Sequence, residues 1–368
     1  MHYKALVLSD IHLGHNINKT NTIVNNLREF FRIYKQQLKN IDMIFLAGDT
    51  FDRLLVNSSV DFIIATEWLT ELFIYCKQNK IILRTLEGTP SHDWKQLSSF
   101  SSIISKLNIE VDYKYVDTLE IEYIKKFDMH VLYVPDEYKH NSKDTYLEVM
   151  KLLKKHNIEQ VDLAIMHGAF NYQLPIALES NHNEEDYLKI VKHYICIGHI
   201  HTHSVKNRIL AQGSFDRLVH GEEEPKGGIL IDINNDERNY WFLENKLATI
   251  FKTYKLEDED LDKTIRYLDK ELNKYPSNSN IRLIAPSDTF ITKNAIAIKS
   301  RYKLLNIKFD KVKTDKIVKN KLLDQELVIT SFNITKDNIV ELMDKEMEKY
   351  NLKGELQEIY KKELEAIL

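Results

Sequence analysis

Histidine and aspartate residues occur in five short clusters, each of which follows an apolar run of the chain. The clusters are Ser9-Asp10-Ile11-His12, Gly48-Asp49-Thr50-Phe51-Asp52-Arg53, Gly88-Thr89-Pro90-Ser91-His92-Asp93, His167-Gly168 and Gly198-His199-Ile200-His201-Thr202-His203. Imidazole and carboxylate donors without a thiolate suit Mn²⁺, Fe or Zn²⁺ better than Ca²⁺ or Mg²⁺ alone. A carboxylate that bridges two such ions, about 3.5–4 Å apart, supports hydrolysis of phosphate esters. The residue types therefore predict a two-metal hydrolytic site.

Each cluster also has a structural interpretation that requires no metal ion. Asp10-x-His12 alone is more typical of an ordinary capped loop, and Gly48-Asp49 alone is a common turn. The Gly-His-x-His sequence that begins at Gly198 favours a metal site and a structural role about equally. Taken together and in chain order, the five clusters favour the metal site.

The elements that would position these residues alternate along the first half of the chain. Apolar runs predict strands at Ala5–Leu8, Met43–Ala47, Ile81–Leu86, Val131–Val134, Val161–Met166 and Tyr194–Ile197. Apolar residues at helical spacing predict helices at Thr22–Leu38, Val60–Lys77, Gln96–Leu107 and Glu184–Val191. This alternation predicts an α/β fold with helices on the faces of the sheet. Ligands of such folds bind beyond the carboxyl ends of the strands, where the clusters lie.

The pattern changes after Gly198. Three short strands of the same sheet system are predicted at Ile209–Ala211, Gly228–Ile233 and Asn239–Leu243. A small βαβαβ unit is predicted next, with strands Phe251–Leu256, Asn280–Ala285 and Asn306–Val312 and helices Leu261–Lys274 and Asn294–Tyr302. Two amphipathic helices are predicted to end the chain. The predicted domains are therefore residues 1–248, 249–312 and 313–368.

Composition narrows the class of protein further. The 368 residues are 43% hydrophobic and carry a net charge of -4, which gives no global sign of a polyanion partner. The segment from Lys299 to Lys321 is an exception, with nine basic and two acidic residues. Cys76 and Cys196 are the only cysteines, which excludes a disulfide framework and a cysteine-rich zinc site. With no signal peptide and no membrane-spanning run, a cytoplasmic protein is expected.

The ordered motifs resemble those of the calcineurin-like metallophosphoesterase superfamily. Within it, the chain resembles the SbcD-type repair nuclease subunits, especially their phage counterparts. Gly48-Asp49-Thr50-Phe51-Asp52-Arg53 is similar to the family's G-D-x-F-D/H-x motif. Gln212-Gly213-Ser214-Phe215-Asp216-Arg217, followed by Gly221-Glu222, is similar to its P-G-S-x-x-R…G-E segment. The resemblance implies a two-sheet sandwich flanked by helices, with a small capping domain and a C-terminal helix pair.

The resemblance also implies residue roles. The first metal would be held by Asp10, His12, Asp49 and His201, with Asp49 bridging to a second metal that His167 and His199 help to hold. His92 would be the catalytic histidine that protonates the leaving group. The family usually has Gly-Asn-His, whereas Ser91 occupies the asparagine position here, so we expect a looser second site and a steep Mn²⁺ dependence. Supporting or substrate-facing roles would fall to five residues, namely Asp52, Arg53, His15, Asp93 and Arg217.

Relatives in this family are Mn²⁺-dependent nucleases that degrade duplex DNA ends and cut single strands. The resemblance therefore implies two Mn²⁺ ions, with Mg²⁺ as a possible substitute, and DNA as substrate. It also implies a homodimer, and an SbcC-like coiled-coil ATPase that docks on the C-terminal helices. If the protein is phage-encoded, its compartment would be the host cytoplasm. Phosphate contacts are expected from the basic segment, at Arg301, Lys303, Lys308, Lys311 and Lys313, although a merely solvated face fits the same charges equally well.

Two other functions fit parts of the same sequence. A metallophosphoesterase for small phosphodiesters or phosphomonoesters would use the same metal chemistry, but it would not need the long C-terminal extension. A DNA-end-binding scaffold without activity is supported by Ser91 alone. The tryptophans Trp68, Trp94 and Trp241 are expected in the core or at an interface rather than as base-stacking platforms.

Overall fold

The fold was analysed in a computed structural model of the chain. The structure describes residues 2–99, 106, 109–176, 178–257, 260–287 and 289–312. The described residues up to Lys311 belong to one compact unit. The predicted C-terminal helix pair, Lys313 and most of the predicted helix Gln96–Leu107 lie outside the described residues.

The first of two large sheets has six strands in the order β12-β11-β1-β2-β3-β4. Its strands are β1 (His2–Leu8), β2 (Met43–Ala47), β3 (Ile82–Leu86), β4 (Tyr113–Val116), β11 (Gly227–Asn234) and β12 (Glu237–Glu244). Strands β1 to β4 run parallel, while β11 and β12 add to the edge as an antiparallel pair. The carboxyl ends of β1, β2 and β3 therefore meet at one edge of this sheet.

The second sheet also has six strands, in the order β5-β6-β7-β8-β10-β9. Its strands are β5 (Glu120–Ile124), β6 (Met129–Val134), β7 (Val161–His167), β8 (Val191–Gly198), β9 (Ser204–Lys206) and β10 (Ile209–Ala211). Strands β6, β7, β8 and β10 are parallel, and both edge strands are antiparallel to their neighbours. This sheet likewise brings the carboxyl ends of several strands together.

The two sheets share a buried apolar layer, which makes the fold a sandwich. Side chains of both sheets meet in it, including Val7, Phe45, Tyr133 and Ile165. Successive residues of β1 alternate between this layer and the opposite face, where Leu6 joins the core beneath the helices. A strand buried on both faces must be apolar throughout, which explains the continuous apolar runs in the sequence.

Helices cover the outer faces of the sandwich. The helices α1 (Thr20–Ile33) and α2 (Val60–Asn79) pack on the first sheet, and α4 (Ser142–His156) and α5 (Glu184–Ile190) pack on the second. The short helix α3 (Pro90–Asp93) follows β3. Among the described residues, no helix is both long and apolar enough to span a membrane.

Residues 251–312 build a separate three-stranded sheet with its own apolar core. Its elements are β13 (Phe251–Lys255), α6 (Leu261–Leu272), β14 (Asn280–Pro286), α7 (Phe290–Lys293), α8 (Ala295–Arg301) and β15 (Asn306–Val312). This order is the predicted βαβαβ order, with the second helix divided in two. The domain boundaries themselves stay a prediction.

The predicted α/β sandwich with flanking helices is confirmed. One prediction needs correction, since the strands after Gly198 do not share a sheet: β10 joins the second sheet, whereas β11 and β12 extend the first. The helix predicted to reach Leu38 ends at Ile33. Helix α4 and the edge strands β4, β5 and β9 were not predicted.

Candidate metal centre

The predicted site residues lie at the carboxyl ends of five strands, and Asp136, which was not predicted, lies at the end of a sixth. In the first sheet, Asp10 follows β1, Asp49 follows β2, and the Gly88–Asp93 loop follows β3. In the second sheet, His167 ends β7 and His199 follows β8. The sixth strand end is that of β6, followed by Asp136. The sandwich therefore places side chains that are far apart in sequence against one another.

The strand ends approach each other closely because Gly48 carries no side chain. Its φ is +88°, and an added Cβ would lie 2.1 Å from His167 Nδ1 on the other sheet. Four ligand residues also have a positive φ: Asp10, His12, Asp49 and His199, with φ of 50°, 56°, 49° and 95°. Such conformations are uncommon outside glycine and asparagine, and they cluster at functional sites.

The first group of possible ligands consists of Asp10, His12 and His201, whose donor atoms lie within 4.8 Å of one another. Glu222 Oε1 lies 2.8 Å from His201 Nδ1, and Asp52 Oδ1 lies 3.2 Å from His12 Nδ1. Glu222 therefore holds the proton of His201 on Nδ1, which leaves the Nε2 of His201 with a lone pair, whereas Asp52 faces His12 Nδ1 without an aligned hydrogen bond. The two Nε2 atoms lie 3.2 Å apart. Two lone pairs at that distance repel each other unless a cation or a proton lies between them.

The second group consists of Asp49, His167 and His199. His167 is fully buried, and its Nδ1 donates a hydrogen bond to the Ala47 carbonyl at 2.7 Å. Its Nε2 has no hydrogen-bond partner and faces Asp49 Oδ2 at 3.3 Å. Although burial opposes a charged ring, the Asp49 carboxylate raises the pKa of His167 well above its usual value. The pair therefore needs a positive charge, which either a proton or a metal ion supplies.

Asp49 also belongs to a third group, with His12 and His92. His92 Nδ1 lies 2.9 Å from Asp49 Oδ2, and this hydrogen bond raises the pKa of His92. The His92 side chain is 37% exposed, so it can reach a bound substrate. Asp49 is thus the carboxylate common to the second and third groups of possible ligands.

The structure does not bring Ser91 into this cluster. Ser91 is exposed, and the hydroxyl that faces the ligands belongs to Thr89. Thr89 Oγ1 lies 3.2 Å from Asp49 Oδ2 and 3.4 Å from His199 Nδ1. The two extra residues Pro90 and Ser91 form the first turn of α3, which carries Ser91 away from the cluster. The residue directly before His92 in the sequence is therefore not the one whose hydroxyl contacts the ligands.

Sequence reasoning also missed Asp136. Its Oδ2 accepts a hydrogen bond from Thr89 Oγ1 at 3.1 Å and lies 3.3 Å from His199 Nδ1. The signal was available, because Pro135-Asp136 directly follows the predicted strand Val131–Val134. An aspartate at a strand end was overlooked because no histidine accompanies it.

A buried network fixes the orientation of His201. Lys226, whose side chain is fully buried, donates to the His201 carbonyl at 2.9 Å and lies 3.5 Å from Glu222 Oε2. Although burial opposes ionisation, the hydrogen bond to His201 and the charge of Lys226 lower the pKa of Glu222 to about 2. Glu222 is therefore a carboxylate that aims the His201 ring at the cluster, as carboxylates behind metal-bound histidines do.

The remaining predicted residues lie around the cluster. Asp52 pairs with His12, and Asp93 is fully buried, accepting hydrogen bonds from the Phe51 and Gly88 amides. His15 accepts from the amides of residues 17 and 18, and burial lowers its pKa. Arg53 bonds Asn16 and lies 3.6 Å from Asp61. Arg217 donates to the carbonyls of residues 223, 224, 248 and 249, which makes it a structural anchor.

The residues fit a pair of metal ions. Nitrogen and oxygen donors converge in one cluster, and His167 and His201 each have a hydrogen-bond partner for the other ring nitrogen. Asp49 belongs to two of the three groups of possible ligands, so these groups overlap at its carboxylate. The donor set leaves the identity of the metal open.

Comparisons with known proteins do not assign the chain to a family. No family model matches the chain. No curated protein matches it either. Among solved structures, one crystal structure aligns at 11% identity and a TM-score of 0.39, covering 66% of this chain and 100% of that chain. A likeness of this size carries no argument about function, which therefore has to be inferred from the site.

Proposed function

We propose that the protein is a metal-dependent phosphodiesterase that hydrolyses DNA, the nuclease subunit of an SbcD-type repair complex. The observation that carries this proposal is the position of Asp49, which shares one buried cluster with histidines from both sheets. Paired metal ions about 3.5–4 Å apart, bridged by such a carboxylate, are typical of enzymes that cleave phosphate esters. The order of the motifs along the chain supports the same class.

The chain's own residues have separable tasks in this reaction. Asp10, His12 and His201 would hold one ion, and His167, His199 and Thr89 the other, with Asp49 between them. When bound, the ions polarise the phosphoryl group and lower the pKa of a water nucleophile. His92 is held by Asp49 at the exposed rim, where its ring can donate a proton to the leaving oxygen. Glu222 and Asp52 keep the ligand rings oriented.

DNA as substrate is supported by the resemblance and by the basic segment rather than by the metal centre. In that segment Arg301 pairs with Asp269 at 2.6 Å, and Lys308 pairs with Asp310 at 3.3 Å. Lys303 and Lys311 are exposed, so phosphate contacts would fall on them first. The proposed ATPase partner and the homodimer rest on the resemblance alone.

The test is release of nucleotides from linear duplex DNA with Mn²⁺, comparing the wild-type protein with Asp49→Ala. We expect the substitution to reduce the rate at least a thousandfold, because it removes the carboxylate shared by both ions. His92→Ala is the matched variant: it should keep Mn²⁺ and DNA binding but lose cleavage. Unchanged cleavage by His92→Ala would contradict its role as proton donor.

The same experiment separates the alternative functions. Hydrolysis of a small aryl phosphodiester without any cleavage of DNA would favour a small-substrate phosphoesterase. DNA binding without hydrolysis of either substrate, in the presence of bound Mn²⁺, would favour an inactive scaffold.

A further inference from the structure

A cleft of about 680 Å³ opens beside the metal centre. Its lining includes Pro90, Ser91, Trp94, Asp136 and Tyr138. Asp136 belongs to both places, since its carboxylate also contacts Thr89 and His199. A substrate whose phosphate lies at the metal centre can therefore extend directly into this cleft.

Trp94 lies in the cleft with its ring exposed but held in place. It directly follows α3 with a φ of +49°, and Lys95 after it has a φ of +52°. Left-handed backbone is a genuine outlier for so bulky a side chain, and such strain clusters at functional sites. The indole Nε1 donates to the Ser91 carbonyl at 2.7 Å, while 55% of the residue remains exposed. An aromatic ring that is already ordered loses little entropy when a ligand stacks on it.

The loop that carries Trp94 is rigidly connected to the metal centre. Buried Asp93 ties the loop to the amides of Phe51 and Gly88, at 2.9 Å and 2.8 Å. The Lys95 amide donates to Glu87 Oε1 at 2.8 Å. Because His92 and Trp94 flank Asp93, the same contacts set the position of both rings.

The charge of the cleft indicates what part of a substrate it accepts. Its lining holds four carboxylates against one ammonium group, that of Lys95, which pairs with Asp117 at 3.0 Å. A phosphate would be repelled there, whereas a neutral planar base can stack on the indole and donate its amino protons to carboxylates.

We propose that this cleft is a stacking subsite for one base of a DNA strand, the base next to the phosphate at the metal centre, with Trp94 as the platform. The proposal rests on the proposed function, because it assumes a nucleic-acid phosphodiester at the metal centre. It adds a specificity-determining residue that contacts a base rather than the backbone.

The test is fluorescence anisotropy with a labelled single-stranded oligonucleotide, in Ca²⁺ instead of Mn²⁺ to limit cleavage. Trp94→Ala should weaken binding about tenfold, because stacking of one base contributes this order of affinity, whereas Trp94→Phe should bind nearly as well as the wild-type protein. An abasic oligonucleotide should bind equally to the wild-type protein and to Trp94→Ala. Trp241→Ala is the matched control, since Trp241 is 46% exposed on β12, away from the cleft.

The outcomes distinguish this proposal from the proposed function. Equal binding of the oligonucleotide by Trp94→Ala and the wild-type protein, alongside normal DNA cleavage, would overturn the subsite and leave the nuclease intact. A base-dependent loss of binding in Trp94→Ala, without cleavage by any form, would support the subsite and contradict the nuclease. Equal losses with the abasic and the intact oligonucleotide would also overturn the subsite.

Discussion

Thr89, rather than Ser91, supplies the hydroxyl at the proposed second metal site. The histidines and Asp49 supply strong donors there, and Thr89 contributes a hydroxyl within 3.4 Å of both Asp49 and His199. Its amide also donates to Asp49 Oδ1, at 2.6 Å. A hydroxyl is a weaker ligand than the amide oxygen of asparagine, so the expected steep Mn²⁺ dependence still follows, with Thr89 as its origin rather than Ser91.

Thr89→Ala should weaken Mn²⁺ binding at the second site about tenfold, the lower end of what losing a group beside metal ligands costs. Ser91→Ala is its matched control, two residues away and exposed, and should leave both sites unchanged. Isothermal titration with Mn²⁺ measures both affinities without an assay of activity. A loss in Ser91→Ala with none in Thr89→Ala would restore the prediction from the sequence.

At the scale of elements, the ion pair between Arg84 and Glu122 connects the two sheets. Arg84 lies in the middle of β3 and Glu122 in the middle of β5, and their closest atoms are 2.9 Å apart. Both side chains are largely buried, and Tyr133 donates a further hydrogen bond to Glu122 at 2.9 Å. Removing the Glu122 charge would leave the buried Arg84 with only the exposed carboxylate of Asp112, at 2.8 Å, as a counter-charge, which is costly.

Glu122→Gln should lower the free energy of unfolding by about 3 kcal/mol at pH 7, because Arg84 loses its buried counter-charge. Although burial opposes ionisation, the hydrogen bond from Arg84 lowers the pKa of Glu122 below its usual 4.5. The stabilisation is therefore complete above pH 4.5 and is lost as the pH falls through the lower pKa of the folded state. Urea unfolding between pH 7 and pH 3 should show a shallower acid loss in the variant. Parallel pH curves for the two proteins would contradict this assignment.

At the scale of the whole molecule, the candidate metal centre forms because the two sheets pack face to face with the carboxyl ends of their strands together. Neither sheet carries a complete ligand set, since Asp10 and Asp49 come from the first, and His167 and His199 from the second. The closeness of the sheets at Gly48 is therefore a requirement of the site as well as of the fold.

Gly48→Ala should reduce the free energy of unfolding by roughly 3 kcal/mol, from overpacking against His167 and from strained backbone. Gly221→Ala is the control, because its φ of +110° carries the strain while an added Cβ meets nothing within 4 Å. Denaturant unfolding and Mn²⁺ titration of both variants separate the effect of the added Cβ from the effect of backbone strain. Only Gly48→Ala should lose metal affinity, and equal effects would mean that backbone strain alone matters.

The sequence by itself determined the strands and the residue types at their ends. Strands buried on both faces, such as β2, are apolar along their whole length, so they are visible as runs. The mixed Asp and His residues that follow them carry the chemistry of a metal site regardless of how the strands are arranged. A short edge strand such as β9, in which Val205 is the one apolar residue of three, leaves a weaker pattern and was missed.

Only the tertiary structure decided which hydroxyl meets the ligands, that Asp136 joins them, and that Trp94 is exposed. The first two depend on contacts between the two sheets, since Thr89 and Asp136 come from different sheets and meet only in the sandwich. The turn of α3 sets the directions in which Ser91 and Trp94 point. The spacing of residues along the chain does not predict these directions. Local pattern encodes burial and periodicity, whereas contacts between distant segments depend on how the sheets pack.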